Sequence, residues 1–435
     1  MSQKKLFVLS MDAMVSEDID YLFSLPESNF AKLFGRAAGV RKMQTVYPSI
    51  TYPSHVSIMT GCNPGKTGVY QNYDMDTTGG HPAWKLYRSD IHVDTIFDAA
   101  KRQGLTTAAV YWPTTGNDPS IDYLINEFFF YENEDPVEAF RGFGANEATI
   151  KAVKENLHLF PDENHHNWGG YYIDFINGCT CSLIRDVKPD VFLVHNCLFD
   201  TLRHLNGAFN QAITDGLAKF DQQLGELVQA MKDAGTFEDT DFVLLSDHGQ
   251  QNYCRKVHLN YLLRQGGFLD IDENNKVKDY RAFVQSNGFS AYIFLKDKSD
   301  RKTYEEVYAY LKKLSEEKMW GFREVYTEEE CRQQFGLWGD FSFLVETDNY
   351  TYCASGWSKV EEDIDFTADH RPGHASHGYL PWKFAQPIFW CTGPSFREGV
   401  VLEKSLTINE APTLAATFGG VLPEADGCVL TELLK

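Results

Sequence analysis

The chain has 435 residues, of which 43% are hydrophobic and 23% charged, and its formal net charge is −21 at pH 7. Its length predicts roughly two to three structural units, and its acidity argues against a nucleic acid polymer as partner, because neutralising phosphates requires a basic surface. The nine cysteines show no paired spacing, the first residues lack a secretory pattern, and no apolar stretch is long enough to cross a bilayer. We therefore expect a cytoplasmic protein that makes no membrane contact.

Five short apolar runs predict buried parallel strands. They cover residues 6–11, 107–112, 190–195, 241–246 and 387–393. The clearest helix is predicted over residues 210–232, where apolar side chains recur every three or four positions and Gly235 follows as a stop signal. Strands that alternate with helices favour an α/β fold with a largely parallel central sheet flanked by helices.

Residues 257–352 have a different pattern. Two strand-like runs, FSAYIFL and DFSFLVET, flank the helix-like run TYEEVYAYLKKLSEEK. This order predicts a small α+β unit that is inserted into the main domain as a cap. The predicted core then consists of residues 1–256 and 353–435.

Polar residues that can bind a metal follow three of the predicted strands. Asp12 follows the first, Asp200 and His204 come after the third, and Asp247 and His248 follow the fourth. Asp200 and His204 are four residues apart, so both face the same side of a helical turn. Each residue alone also fits an ordinary role, as a helix cap, a turn residue or part of a solvated helix face. Together they indicate one crevice, because ligands of open α/β sheets bind beyond the carboxyl ends of the strands.

The segment TYPSH begins with Thr51, which lies just ahead of Pro53. Proline suits the first turn of a helix, so Thr51 has two interpretations. It caps the helix, or it is a nucleophile at a helix N-terminus, where free N–H groups favour anions. A threonine hydroxyl is a weak nucleophile near neutral pH unless a divalent metal stabilises its alkoxide, and the acid and histidine groups would supply that metal.

Taken together, these motifs resemble the alkaline phosphatase superfamily, and most closely its type I phosphodiesterase/nucleotide pyrophosphatase branch. Their order agrees from Asp12 to the His-Gly-Tyr motif that ends at Tyr379. The branch has Thr-Phe-Pro-Asn-His at its nucleophile, where this chain has Thr-Tyr-Pro-Ser-His from Thr51. Asn72 in GVYQN matches an asparagine that helps hold the phosphoryl oxygen in that family. The resemblance implies an alkaline-phosphatase-like core.

The resemblance also implies two divalent metal ions, with zinc as the expected metal. The residues implied for one ion are Asp200, His204 and His377, with His370 and His374 as rivals to His377. The residues implied for the other ion are Asp12, Asp247, His248 and the oxygen of Thr51.

The implied activity is that of a metal-dependent hydrolase, which cleaves phosphodiester or pyrophosphate bonds of small molecules, nucleotides among them. Thr51 would attack phosphorus and form a phosphothreonine intermediate, while Asn72 and the Thr51 N–H steady the non-bridging oxygens. Tyr52 would stack on a nucleotide base. The expected partner is a small phosphorylated substrate, and a homo-oligomer is left open.

Departures from the branch leave other substrates open. The chain has Leu198–Phe199 where nucleotide-cleaving members often have Glu-Pro, and Leu380–Pro381 where they often have Asp-Asn. One alternative is a phosphonate hydrolase that resembles phosphonoacetate hydrolase, with Lys85 as a candidate to grip the substrate carboxylate. A phosphomonoesterase is another, and a homologue that binds metal without turnover is a third. A sulfatase is disfavoured, because Thr51 cannot be oxidised to formylglycine.

Overall fold

The computed structural model describes residues 4–80, 82–128, 135–160, 172–362 and 374–435. In chain order, the strands of the described residues are β1 (Lys5–Met11), β2 (Ala38–Gln44), β3 (Thr107–Val110), β4 (Tyr123–Ile125), β5 (Val191–Asn196), β6 (Thr240–Leu245), β7 (Gln251–Tyr253), β8 (Arg255–His258), β9 (Leu269–Ile271), β10 (Val277–Tyr280), β11 (Ala282–Ser286), β12 (Ser290–Leu295), β13 (Phe322–Thr327), β14 (Phe343–Thr347), β15 (Thr351–Ala354), β16 (Glu361–Glu362), β17 (His374–Ser376), β18 (Phe389–Thr392) and β19 (Val401–Leu406). The α-helices are α1 (Ser16–Phe23), α2 (Asn29–Phe34), α3 (Thr51–Thr60), α4 (Pro64–Thr67), α5 (Ile96–Arg102), α6 (Pro136–Gly142), α7 (Glu147–Asn156), α8 (Ile173–Asp186), α9 (Leu198–Asn206), α10 (Gln211–Ala234), α11 (Leu259–Gln265), α12 (Arg301–Glu317), α13 (Glu328–Phe335) and α14 (Glu410–Thr417).

Eight of these strands form the central sheet, in the order β19-β2-β18-β6-β1-β5-β3-β4. All neighbouring pairs are parallel except those of β18, which is antiparallel to both β2 and β6. The predicted α/β fold with a largely parallel sheet is therefore confirmed. The predicted run 387–393 does contain a strand, but its predicted parallel direction is wrong. A strand buried between two others is apolar whichever way it runs, so its sequence does not report its direction.

The central strands are apolar throughout because both faces of the sheet are covered. In β1, Phe7, Leu9 and Met11 belong to the core cluster on one face, whereas Leu6 and Val8 belong to the cluster on the other. This alternation between two buried faces explains why β1 reads as an unbroken apolar run.

Helix α10 agrees with the predicted helix 210–232. Its N-cap is Asn210, whose side chain accepts a hydrogen bond from the N–H of Ala212, and its C-cap is Gly235, which has a φ of 70°. Its apolar stripe packs against α8 and α9 beside the sheet. No helix of the described residues is both long and apolar enough to cross a membrane.

A second sheet lies within the region that the sequence predicted as an insert. It contains four antiparallel strands in the order β11-β12-β14-β13, with α12 packed against β13. It has a core of its own, which includes Val284, Ile293 and Leu311. β8 and β15 pair side by side at the base of this region, so the chain enters and leaves it at one place. The cap role and the bounds 257–352 stay predictions.

Candidate metal centre

Three neighbouring parallel strands bring the predicted ligands to one edge of the central sheet. β1 lies between β5 and β6. Asp12 follows β1, Asp247 and His248 come just after β6, and Asp200 belongs to α9, which begins two residues after β5. The N–H of Asp200 donates to the backbone oxygen of Asp12 at 3.1 Å. The first turn of α9 is therefore fixed against the end of β1.

The first candidate ligand group consists of Asp12, Asp247 and His248, whose ligand atoms all lie within 4.8 Å of one another. The Nε2 atom of His248 is 3.2 Å from Asp247 Oδ2, 3.6 Å from Asp12 Oδ1 and 3.3 Å from the Thr51 hydroxyl. All three ligand side chains are buried. One nitrogen and two carboxylates thus surround the same small volume beside the hydroxyl.

Two carboxylates so close together and so deeply buried resist ionisation. Burial, and then the charge of Asp200, raises the pKa of Asp12 well above its usual value. Burial, and then the charge of Asp12, raises the pKa of Asp247 in the same way. No donor among the described residues is aligned for a hydrogen bond to Asp12 Oδ1 or Asp247 Oδ2. These oxygens therefore have the environment of ligands whose charge a cation would balance.

The second candidate group consists of Asp200, His248 and His377, again with ligand atoms within 4.8 Å of one another. Asp200 Oδ1 is 3.8 Å from His377 Nε2 and 3.2 Å from the Nε2 of His204. The rings of His204 and His377 are 5.2 Å apart. The structure therefore brings together the three residues that were predicted to share one ion.

The charges of this second group favour ligand binding by Asp200 and His377. Burial opposes ionisation of Asp200, but the neighbouring imidazoles of His204 and His377 outweigh it, so the pKa of Asp200 lies below its usual value. Burial lowers the pKa of His377 to about 4. His377 is therefore neutral at physiological pH, the form in which imidazole binds metals. The Nδ1 atom of His204 is fixed at 2.8 Å from the backbone oxygen of Ala375, which orients its other nitrogen towards Asp200.

These donor sets fit two divalent ions. Both contain carboxylate oxygens and imidazole nitrogens without a thiolate, a combination that suits a catalytic zinc site. The unpartnered carboxylate oxygens of Asp12 and Asp247 supply independent support, because a buried acceptor without a partner is costly. His248 takes part in both groups, so the two sites are immediate neighbours.

Thr51 is the first residue of α3, and the residue at the N-cap position is Ile50. No side chain caps this helix, so the interpretation of Thr51 as the capping residue is wrong. A threonine one position inside the helix does not have the extended backbone that a capping side chain needs. Its hydroxyl instead faces His248, and its backbone oxygen lies 2.9 Å from Nδ1 of His55.

Asn72 and Tyr52 lie beside the threonine. Asn72 Oδ1 accepts a hydrogen bond from the N–H of Tyr52 at 3.0 Å, which holds the asparagine against the first turn of α3. Tyr52 is only 1% exposed. Its hydroxyl donates to Glu127 at 2.7 Å, and its ring centre is 5.2 Å from that of Trp84. A base could reach this ring only if neighbouring side chains moved, so the stacking contact stays a prediction.

The remaining candidates lie apart from the ligand groups. Lys85 pairs with Asp74 at 2.7 Å and with Asp90 at 3.4 Å, so its charge is already balanced. The ring of His374 stacks on that of Tyr253 at 6.1 Å and joins neither ligand group. His370 lies outside the described residues. Of the two described histidines in this loop, His377 is the one beside Asp200.

Two buried histidines beneath the ligands escaped the sequence interpretation. His195 Nε2 is 3.2 Å from Asp12 Oδ2. His55 Nε2 is 2.8 Å from Ser10 Oγ, and the two histidine rings are 4.5 Å apart. The sequence contained one signal for His195: it is the last residue of a predicted strand, as Met11, which precedes Asp12, is of another. Nothing in the sequence showed that the two strands are neighbours.

Carboxylates, imidazoles and one hydroxyl that meet at the carboxyl edge of a largely parallel sheet define an α/β protein of the alkaline phosphatase type with a candidate metal centre. The family model "Type I phosphodiesterase / nucleotide pyrophosphatase" matches residues 6–380. The chain belongs to this family, and the predicted family resemblance is confirmed.

Known relatives and solved structures agree with this assignment. The chain is 26% identical over 246 residues to mouse ectonucleotide pyrophosphatase/phosphodiesterase family member 1, covering 54% of this chain and 23% of the relative. It is 24% identical over 420 residues to the venom phosphodiesterase CdcPDE of Crotalus durissus collilineatus, covering 91% and 42%. It thus spans less than half the length of these relatives. The structure of murine ectonucleotide pyrophosphatase/phosphodiesterase 5 superposes with a TM-score of 0.67 at 17% identity, covering 99% of this chain and 100% of that one. At this identity the superposition shows the fold.

Proposed function

We propose that the protein is a metal-dependent hydrolase that cleaves phosphodiester or pyrophosphate bonds of small molecules, nucleotides among them, with Thr51 as its nucleophile. One observation carries the proposal: the Thr51 hydroxyl lies 3.3 Å from the Nε2 atom of His248, the residue that belongs to both ligand groups. A hydroxyl in this place lies beside the one residue that the two ligand groups share. The solved structures add a parallel, since an inactive threonine-to-alanine variant of the murine protein is described in complex with AMP.

The proposed metals are two zinc ions, one held by Asp200, His204 and His377, the other by Asp12, Asp247, His248 and the Thr51 oxygen. Such ions polarise phosphoryl oxygens and balance the charge of attacking and leaving groups.

The chain's own residues would act as follows. The Thr51 hydroxyl loses its proton as its oxygen attacks phosphorus, the P–O bond to the leaving group breaks, and an alcohol or a phosphate ester leaves and takes up a proton. Water then hydrolyses the phosphothreonine, which restores the Thr51 hydroxyl and releases the phosphorylated product. Asn72, whose Oδ1 accepts from the N–H of Tyr52, would donate its amide N–H to a non-bridging oxygen together with the Thr51 N–H. The helix N-terminus at Thr51 further favours an anion.

A phosphonate hydrolase or a phosphomonoesterase is the second candidate, because both would use the same ligands. Either substrate brings an additional negative charge, which a free cation would have to neutralise. Lys85, the candidate for this role, is already paired with two aspartates. This pairing favours the diester. The cytoplasmic location and a homo-oligomer stay predictions.

The test compares the wild type with Thr51→Ala on bis-p-nitrophenyl phosphate and p-nitrophenyl phosphate, with and without a chelator. We expect chelator-sensitive diesterase activity above monoesterase activity, and a loss of about 10³-fold or more in Thr51→Ala with its zinc content unchanged. Thr60→Ala is the control, because it removes a hydroxyl from the same helix that donates to the backbone oxygen of Val56 and accepts from the N–H of Cys62, and so contacts neither ligand group. Full activity in Thr51→Ala would disprove the nucleophile, and higher monoesterase activity would favour the second candidate.

A further inference from the structure

Glu346 is a buried carboxylate that lies outside both ligand groups. It belongs to β14 of the second sheet and is fully buried. It accepts three hydrogen bonds: from the Tyr47 hydroxyl at 2.8 Å, from the Leu380 N–H at 3.2 Å and from Nζ of Lys383 at 2.7 Å. All three donors come from the main domain rather than from the second sheet. These three hydrogen bonds offset the cost of burying the acid, since a buried carboxyl group without hydrogen-bond partners is strongly unfavourable.

The three donors lie in two loops, one that leads to Thr51 and one that follows His377. Tyr47 lies four residues before Thr51, and Leu380 lies three residues after His377. The loops also bond directly to each other, since the N–H of Gly378 donates to the backbone oxygen of Ser49 at 2.9 Å. Glu346 therefore joins the loop of the proposed nucleophile to the loop of a proposed metal ligand.

The second sheet reaches the His377 loop at another point as well. The N–H of Phe289 donates to the backbone oxygen of His377 at 2.9 Å, and the Ser290 hydroxyl donates to that of Gly378 at 2.6 Å. Gly378 has a φ of 85°, and a Cβ there would lie 1.7 Å from the backbone oxygen of Asn287. Only glycine fits between these two backbones. The contact between the second sheet and this loop is thus close and specific.

We infer that Glu346 is a positioning residue, through which the second sheet holds the Thr51 loop and the His377 loop at a fixed separation. The inference rests on the proposed function. It gives the inserted sheet a role other than that of a cap that swings away from the site, because such a movement would break all three hydrogen bonds to the buried Glu346 side chain. Supports of this kind orient metal ligands without touching the metal or the substrate.

The test measures zinc affinity by chelator competition, together with kcat and KM for bis-p-nitrophenyl phosphate. We expect Glu346→Gln to weaken zinc binding at one of the two sites about tenfold or more, and to lower kcat more than it changes KM. Tyr47→Phe removes one donor with little change in volume, so it should give a smaller change in the same direction. It also keeps the inference testable if Glu346→Gln does not fold.

Two controls separate positioning from general damage. Asp241→Asn changes another buried acid. Asp241 lies at the start of β6, at the end of the strand away from the ligand groups, and accepts a hydrogen bond from the Ser395 N–H at 2.8 Å. Tyr292→Phe removes a buried hydroxyl of the second sheet that donates to the backbone oxygen of Tyr70. Both should bind zinc and turn over as the wild type does. Wild-type zinc affinity in Glu346→Gln and Tyr47→Phe, or equal losses in the controls, would overturn the inference.

The failure of the proposed function has a different signature. If wild-type protein binds two zinc ions but does not cleave the diester, the proposed activity is wrong. Weaker zinc binding in Glu346→Gln would then still support the positioning role, and unchanged zinc binding would overturn it.

Discussion

Arg203 is buried in the helix that carries Asp200 and His204, and its replacement by methionine should destabilise the protein strongly. Its guanidinium donates to Asp18 Oδ2 at 2.6 Å and to the backbone oxygens of Ala13 and Ala208. Ala13 directly follows Asp12, one of the candidate metal ligands. The arginine therefore fixes both the ligand helix α9 and the loop after β1.

The expected loss follows from burial. The side chains of Arg203 and Asp18 are 1% and 3% exposed, so solvent does not screen their interaction. Removing one partner of such a pair costs about 3–5 kcal/mol, since the other charge is left buried and unpaired. Unfolding 435 residues involves an entropy of about 0.9 kcal/mol/K, so the expected fall in Tm is about 3–6 °C.

The assay is urea and thermal unfolding of the zinc-loaded protein. The control is Arg141→Met, which breaks an ion pair whose side chains are 32% and 81% exposed and should leave Tm nearly unchanged, because solvent screens such a pair. The double variant Asp18→Leu/Arg203→Met should recover part of the loss, because it removes the unpaired charge as well. A loss below about 1 kcal/mol in Arg203→Met, or a double variant less stable than the single one, would refute this reasoning.

Two further predictions concern pH. Burial, and then the charge of Asp247, raises the pKa of Glu410 well above its usual value. The folded protein therefore keeps a proton on Glu410 that the unfolded chain releases. The free energy of unfolding should for this reason fall as pH rises above about 4.5. Glu410→Gln should remove this fall, so the Tm difference between variant and wild type should grow from pH 4 to pH 8; a constant difference would contradict it. By the same reasoning, the chelated protein should lose stability with rising pH as Asp12 and Asp247 ionise. Zinc should therefore raise Tm more at pH 8 than at pH 5. An equal rise in Tm at the two pH values would argue against these two carboxylates as ligands.

The elements that sequence reasoning predicted well are those whose environment leaves a local pattern. β1, β5 and β6 are buried on both faces, so each is a continuous apolar run, and α10 has an apolar stripe with an asparagine and a glycine at its ends. The edge strand β19 has the sequence VLEKSL and a mostly exposed surface. No continuous apolar run marks β19 in the sequence, so only its pairing with β2 identifies it as a strand.

The candidate site divides in the same way. Five of the predicted ligands follow strands or share a helical turn, so short spacings indicate them as candidates: Asp12, Asp200, His204, Asp247 and His248. His377 was predicted from the family resemblance alone. Their supports depend on contacts between distant parts of the chain: Tyr47 and Glu346 are 299 residues apart, and Asp18 and Arg203 are 185 residues apart. A single sequence contains no local signal for such pairs. Thr51 was found as a candidate, but its exact position in the first turn of α3 needed the backbone.

The two ligand groups behave as one electrostatic unit rather than as two separate sites. His248 belongs to both groups, and the charge of Asp200 contributes to the raised pKa of both Asp12 and Asp247. An ion bound by either group therefore lowers the free energy of ionising the carboxylates of the other. Thr51 Oγ1 faces the shared histidine, so a change in the charge of either group would alter the electrostatic environment of the hydroxyl.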